Sequence, residues 1–489
     1  MRREIIFPSG MWPRLRGHLL GQGREEQLAF LLAGTARGRD WMRLLVREVL
    51  LAPPGAFDRQ SATYLAVKPA YSQAILRRCY QEELSLIEVH SHPFSRSGVT
   101  FSTTDRANDA VKFRYVAQKI PHVNHATMVV GQSDLDAHMW DQQWRRAVSI
   151  DRVRTLDAPI VDLFPTSSPT TDHEQGAAKC WLNRQILAFG EQAQRRLQAV
   201  RVGVVGCGGT GSAVVQMLAH LGVRDLVLVD PDVVELSNLN RLVGATRPDA
   251  KRARRKVHVA QRLVNSVHPE ARVQALPVPV GNSEAVTALK GLDLLFGCTD
   301  NHGSRLILNQ LAVQYLIPYL DLGAGLQTAD DGQIAAAGGQ VRLVRPGAFC
   351  LACLDGIDRG QAGRDLMSPI ERSREAARGY VQGSNVPTPA VLFLNTELAS
   401  QAVAEFVNLW TGFRAPVPLL YFDLLASRLT TVQAERKQGC VACGDGGALS
   451  LGDLESLPGV GSVRPLDSVP VLEAEARAER GPLASVQAR

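Results

Sequence analysis

The sequence predicts an α/β chain built from two units, the second a doubly wound parallel sheet. Three observations carry that expectation. From Val200 onward, strand-like apolar runs alternate with helical runs, the order that produces parallel βαβ units. A glycine-rich turn, Gly206-Cys207-Gly208-Gly209-Thr210-Gly211, joins the first of those strands to its helix, and such a turn lets phosphate approach backbone N–H groups at a helix start. Far upstream, a separate apolar run, Leu84 to Val89, ends in His90 and His92, which marks a different unit with different chemistry.

Composition narrows the class. The chain has 489 residues, enough for two to four domains at about 150 residues each. Hydrophobic residues make up 45% and charged residues 21%, which suits ordinary globular cores. No apolar run reaches the roughly 18 residues of a membrane span. The segment MRREIIFPSGMWPRLRG starts basic but lacks the apolar core of a secretion signal, so a cytoplasmic protein is expected. Net charge is +6 with acids and bases interspersed. The densest basic run, Lys251 to Lys256, has no aromatic platform beside it. A solvated helix face or a phosphate-facing site fits it better than nucleic acid. Of eight cysteines, four form the pairs Cys350/Cys353 and Cys440/Cys443, and the rest are scattered. That is a metal pattern in a reducing compartment, not a disulfide framework.

The elements follow in order. Residues 1–150 form the first unit, which ends near the tryptophan-rich DAHMWDQQWRRAV. Residues 151–176 turn rich in Pro, Ser, Thr and Asp and read as a linker. Residues 177–446 form the second unit. Its strand Val200 to Gly206 precedes a helix with Val214, Met217, Leu218 and Leu221 on one side. The strand Asp225 to Asp230 comes next, and Leu292 to Gly297 and Ile317 to Leu322 read as further buried strands. Residues 447–489, rich in Gly, Ala, Glu and Arg, read as a disordered tail.

In the first unit, His90 and His92 lie two apart, so on a strand both face the same side while Ser91 faces away. Asp105 stands in SxxD, Ser102 to Asp105, at the expected start of a helix. Two imidazoles and one carboxylate form a ligand set for zinc that leaves the fourth position open. The bland alternative is a strand-end histidine pair without metal. The segments His90-Ser91-His92-Pro93 and Ser102-Thr103-Thr104-Asp105, with a glutamate before the strand-like Gln27 to Gly34, resemble the JAMM/MPN+ zinc isopeptidase family. The resemblance implies an N-terminal JAMM/MPN (cytidine-deaminase-like) α/β domain, with His90, His92 and Asp105 on a catalytic zinc. It also implies Glu26 as the proton-transferring base, with Glu25 the fallback, and Ser102 as a support for the oxyanion.

In the second unit, Asp230 ends the strand after the glycine turn, where a carboxylate can bind ribose. Taken alone, that pattern fits an NAD oxidoreductase equally well. The following segments separate the two: Ser237-Asn238-Leu239-Asn240-Arg241, Lys256, and Cys298-Thr299-Asp300-Asn301 with Arg305, preceded by Asn183-Arg184-Gln185. Together they resemble the ThiF/MoeB/HesA family, the Rossmann-like activating-enzyme fold, over about Cys180 to Gly444. The resemblance implies an ATP site of Gly206, Gly208, Gly209, Gly211, Asp230, Asp232, Asn238, Arg241 and Lys256, with Asp230 on the ribose. Asn238, Arg241 and Lys256 would contact phosphates, with Lys251 the competitor for the lysine. Asp300 would hold magnesium, and Arg184 would reach across a homodimer. Cys350, Cys353, Cys440 and Cys443 resemble that family's structural zinc site, and paired CxxC segments supply four thiolates for a closed tetrahedron. Conjugating members also carry a crossover cysteine, yet Leu354 to Arg436 contains none.

The two resemblances imply a bifunctional enzyme of a ubiquitin-like system. A zinc-dependent (iso)peptidase would trim or release a carrier protein, and an ATP-dependent adenylyltransferase would activate its C-terminal Gly-Gly carboxylate. A conjugating enzyme or a sulfur donor would take the acyl group. The rivals are sulfur-carrier activation for thiamine, molybdopterin or cysteine synthesis, and a non-catalytic scaffold. Neither a membrane nor a nucleic acid is an expected partner.

Overall fold

The protein is described here from a computed structural model that covers residues 1–21, 23–141, 146–168, 180–367, 389–457 and 460, with only the backbone of Cys180. Two sheets organise them. The first runs in the order Val161–Leu163, Arg152–Thr155, Arg2–Phe7, Trp41–Leu51, Leu28–Arg37, Ser85–Ser91, His125–Val130, Leu135–Asp141, Arg146–Ser149. Its central strand Leu28–Arg37 is buried on both faces. Ala29, Leu31 and Ala33 join the core under helix Met11–Gly21, while Leu28, Phe30 and Leu32 face helices Pro69–Glu82 and Thr103–Lys119. This period-2 split is what an apolar run does when both sides of a sheet are covered. Register then fixes the first site, because Leu28 pairs with His90 across the antiparallel Ser85–Ser91 strand.

The second sheet runs Arg272–Leu276, Asp225–Val229, Arg201–Val205, Leu294–Gly297, Tyr319–Thr328, Ile334–Val344, Leu419–Asp423, Arg428–Val432. Its first five strands pair in parallel and the rest antiparallel. Helices Gly209–His220 and Leu392–Thr411 pack against each other over its core. The doubly wound expectation therefore holds for the parallel half, and an antiparallel wing extends it.

Two sequence expectations need correction. The expected linker is structured at its start: Arg152–Thr155 pairs parallel to Arg2–Phe7, and Val161–Leu163 pairs antiparallel to Arg152–Thr155. Short β-rich segments inside a polar stretch carry too weak a periodicity to stand out. Residues 169–176 lie outside the described residues. The expected tail likewise begins as a packed strap, with Ala448, Leu449, Ser450 and Leu457 buried. Asp453 accepts from the Arg37 N–H at 2.8 Å, from Lys290 at 2.8 Å and from the Tyr315 hydroxyl at 3.0 Å. Gly452 lies in the left-handed region (φ +59), and a Cβ there would stand 2.1 Å from the Thr35 carbonyl oxygen. Residues 461–489 lie outside the described residues.

The two sheets meet at a buried cluster of charges. Asp293 accepts from Arg43 at 3.1 Å, Arg154 at 2.7 Å, Arg152 at 3.3 Å and the Arg201 side chain at 3.0 Å. Glu4 accepts from Arg43 at 2.8 Å and also pairs with Arg152. Burial opposes the charge on Asp293, but the arginines together hold its carboxyl well below the ordinary range. Replacing Asp293 by Ala leaves these guanidinium groups buried and short of a partner, so a loss of about 3–5 kcal/mol is expected in urea unfolding. A loss below about 1 kcal/mol would show the cluster to be solvated.

A second stability prediction concerns His125, whose side chain is fully buried. Its Nδ1 accepts from the Leu86 N–H at 3.0 Å, and Nε2 faces the Ile120 carbonyl at 3.2 Å. The neutral Nε2–H tautomer satisfies both. Burial pushes its pKa down to about 4, although the Ile120 bond partly opposes that. The unfolded chain takes up a proton near the ordinary value while the folded chain does not. This contribution is therefore complete above about pH 6.5 and falls by about 3 kcal/mol as pH drops to 4. In urea unfolding from pH 7 to 4.5, His125→Gln should remove that part of the pH dependence, and an unchanged profile would contradict the assignment.

Candidate functional site

In the first unit, strand Ser85–Ser91 delivers His90, and His92 follows where the chain leaves the sheet, its N–H bonded to the Val130 carbonyl at 3.0 Å. Ser91 turns the other way, its hydroxyl accepting from the Gln27 N–H at 2.9 Å. Ser102 caps helix Thr103–Lys119: its hydroxyl accepts from the Asp105 N–H at 3.1 Å, and the Asp105 carboxylate accepts from the Ser102 N–H at 2.8 Å. The same carboxylate lies 3.7 Å from His90 Nε2 and 3.5 Å from His92 Nε2. One donor atom from each of the three residues lies within 4.8 Å of the others. Among the described residues, His90 Nε2 is buried with no partner at hydrogen-bond distance, the Asp105 carboxylate standing at 3.7 Å. Ligands about 2.1 Å from a tetrahedral zinc stand about 3.4 Å apart, so this donor set fits the ion with little adjustment.

Burial separates the two candidate glutamates, which both precede strand Leu28–Arg37. Glu26 is buried and its carboxylate lies 3.7 Å from His92 Nε2, whereas Glu25 is exposed. Burial raises the Glu26 carboxyl above its ordinary value, against the pull of His90 and His92. A carboxylate so placed can accept and return a proton. Against the pull of burial, the Ser102 hydroxyl, an acceptor toward the Asp105 N–H, also helps hold the Asp105 carboxyl below its ordinary range, together with His90 and His92.

In the second unit, a cavity of about 2380 Å³ opens at the carboxyl ends of the parallel strands. Gly206, Gly208, Gly209, Asp230, Asp232, Arg241, Lys256 and Asp300 line it. Two glycines are sterically required there. Gly206 has φ +89, and a Cβ on it would meet the Cys298 oxygen at 2.5 Å; one on Gly211 would meet the Gly206 oxygen at 1.8 Å. Asp230 braces the turn by accepting from the Cys207 N–H at 2.6 Å and the Asp232 N–H at 2.8 Å. Burial raises its carboxyl above the ordinary range, despite Lys256 nearby. Lys256, not Lys251, lines the cavity and binds Asp232 at 2.8 Å.

Two expected residues stand elsewhere. Asn238 does not line the cavity; its side chain accepts from the Glu235 N–H at 3.1 Å and closes the short Leu236–Asn238 turn. Arg184 lies exposed on helix Asn183–Phe189, away from the cavity lining. Asn395 and Arg364 line the cavity and were missed from sequence. Asn395 accepts from the Thr210 hydroxyl at 3.3 Å, and its amide occupies the space a Cβ on Gly209 would enter, 2.3 Å away. A lone Asn within the apolar run LFLNTELAS was the available signal.

The paired cysteines converge. Cys350 Sγ lies 3.8 Å from Cys353 and 3.6 Å from Cys440, and Cys353 lies 3.5 Å from Cys443. Four sulfurs at about 2.3 Å from one zinc stand about 3.8 Å apart, so the cluster fits a closed tetrahedral site. Hydrogen bonding from Cys443 draws the Cys350 thiol down to about 5, with a matching rise at Cys443. By contrast, Cys207 is fully buried and its thiol is pushed well up by that burial, the surroundings of a packing residue.

The model of the ThiF family matches residues 182–442. Three curated relatives each align with about half of the chain. The sulfur carrier protein adenylyltransferase of Thermus thermophilus is 32% identical over 270 residues, covering 54% of this chain and 90% of that protein. The SAMP-activating enzyme E1 of Haloferax volcanii is 28% identical over 268 residues, covering 54% and 88%. The sulfur carrier protein ThiS adenylyltransferase of Bacillus subtilis is 28% identical over 260 residues, covering 52% and 68%. The family match spans more than half of the chain and takes in the glycine turn, Asp230, Lys256 and Asp300, so the chain belongs to the ThiF family.

Proposed function

We propose that this chain is a bifunctional enzyme acting at the C-terminus of a ubiquitin-like protein. One centre hydrolyses a peptide or isopeptide bond next to the carrier's Gly-Gly end, and the other adenylates the exposed carboxylate. The observation that carries the hydrolytic half is the meeting of His90, His92 and Asp105 with Glu26 beside them, 3.7 Å from His92. Family membership and the lined cavity support the adenylating half.

At the first centre, a zinc ion held by His90, His92 and Asp105 would supply Lewis acidity and a nucleophile at neutral pH. Glu26 accepts the proton of the attacking water and returns it to the departing amine. Ser102 donates its hydroxyl to the oxyanion. At the second centre, the carrier carboxylate attacks the α-phosphorus of ATP. A carboxyl–phosphorus bond forms, the bond to the β-phosphate oxygen breaks, and pyrophosphate leaves with the electron pair. Arg241 and Lys256 offset the repulsion between carboxylate and triphosphate. Asp300 would hold magnesium, and Asp230 would bind the ribose. Arg184, exposed on its helix, would act across a homodimer.

A second reading keeps both centres and assigns them to sulfur-carrier activation. The absence of cysteine from Leu354 to Arg436 favours it, because no thiol in that segment can take the carrier as a thioester. The names of the Thermus and Bacillus relatives point the same way. Pyrophosphate exchange with candidate carriers separates the two readings.

Two variants test the halves independently. With a Gly-Gly carrier bearing a C-terminal extension, Glu26→Gln should slow cleavage about 10²–10⁴-fold while bound metal is retained. Undiminished cleavage would remove Glu26 from the role. Asp300→Ala should lower carrier-dependent ATP–pyrophosphate exchange about 100-fold or more and leave cleavage unchanged. A joint loss of both activities would contradict independent centres.

A further inference from the structure

Among the described residues, four cations line the nucleotide cavity: Arg241, Lys256, Arg305 and Arg364. Two are already committed to carboxylates. Lys256 lies 2.8 Å from Asp232, and Arg305 lies 3.2 Å from Asp321. Arg241 donates only to neutral acceptors, the Ser237 carbonyl at 2.8 Å and the Asn240 side chain at 3.0 Å. The Arg364 guanidinium makes no hydrogen bond or ion pair among the described residues. Asp358 feels its charge, but the Asp358 side chain is occupied in capping the helix through the Gln361 N–H at 2.9 Å.

Arg364 is also held in place. It belongs to helix Arg359–Asp365, which docks on the start of helix His302–Gln314, directly after Asp300 and Asn301. The Gly303 N–H donates to Asp365 at 3.0 Å, and the Asp358 N–H donates to His302 Nδ1 at 3.1 Å. A Cβ on Gly303 would stand 2.8 Å from the Asp365 Cβ, so the two helices touch closely. Upstream, the segment is fastened by the Leu351 N–H on Asn309 at 2.7 Å and by the clustered Cys350 and Cys353. A short helix with anchors at both ends thus sets an uncommitted guanidinium on the Asp300 side of the cavity.

We propose that Arg364 is a further catalytic residue, binding the β- and γ-phosphates of ATP and the pyrophosphate that leaves. The inference rests on the adenylation reading above. As the bond between the α-phosphorus and the bridging oxygen breaks, charge accumulates on the departing pyrophosphate. A guanidinium can meet two phosphate oxygens in a fixed fork, and its fixed charge costs no reorganisation at that moment.

The test is calorimetric titration of the full-length chain with MgATP and with AMP, for the wild type, Arg364→Ala and Arg364→Lys. AMP lacks the phosphates in question. Arg364→Ala should weaken MgATP at least about tenfold and AMP less than about twofold, and Arg364→Lys should recover part of the loss. Thermal melting of the variants reports the fold separately, and it should not move, because the side chain is exposed. Unchanged MgATP affinity, or equal weakening of both nucleotides, would overturn the role. A wild-type chain that bound neither nucleotide would overturn the adenylation reading, and the role of Arg364 with it.

Discussion

The carboxylate of Asp293, buried between two sheets and facing arginines from both, is the constraint on which this molecule depends. Taking charge out of water is costly, and burying one ion without its partners is costlier still. Arg43 and Arg154 belong to the first sheet and Arg201 to the second, so satisfying Asp293 requires both sheets to be in place. The apolar seam alone would tolerate sliding. Directional bonds to a single carboxylate do not. Asp453 repeats the device at the edge, where one carboxylate meets Arg37 on one side and Lys290 and Tyr315 on the other.

That seam determines where the two centres face. In the second sheet it lies at the amino ends of the parallel strands, at Arg201 and Asp293, while the glycine turn and Asp300 lie at the carboxyl ends. In the first sheet it lies where Leu28–Arg37 turns into Trp41–Leu51, while His90 pairs at the opposite end, with Leu28. Ten residues of strand separate those ends, about 30 Å at 3.3 Å per residue. Each centre therefore opens away from the join. The helix that carries Arg364 lines the second cavity, and the four-cysteine cluster gathers the chain segments before and after it.

Local chemistry was legible in the sequence because short-range geometry enforces it. Alternation put His90 and His92 together, the SxxD spacing made a capping box that aims Asp105, and the glycine turn needed residues without a Cβ. Counting back from the strand favoured Glu26 over Glu25, and the structure buries Glu26 beside His92 while Glu25 stays exposed. The seam was not legible, because Glu4 and Arg43 lie 39 positions apart, Arg154 and Asp293 139, and Arg43 and Asp293 250, and each alone resembles a surface charge. The strap at 447–457 escaped for a related reason. Its Gly, Ser and Asp suit a mobile tail until another chain segment provides the partners. Asn238 shows what short motifs leave open: it lies within an apparent phosphate motif, and its side chain here closes its own turn.

Anomalous diffraction at the zinc edge, from crystals of the full chain, bears most directly on the pairing of two centres in one molecule. Density peaks are expected at two places, one enclosed by Cys350, Cys353, Cys440 and Cys443 and one among His90, His92 and Asp105. A peak at the cysteines alone, with the histidines refined apart, would reduce the molecule to an activating enzyme carrying an inert first unit.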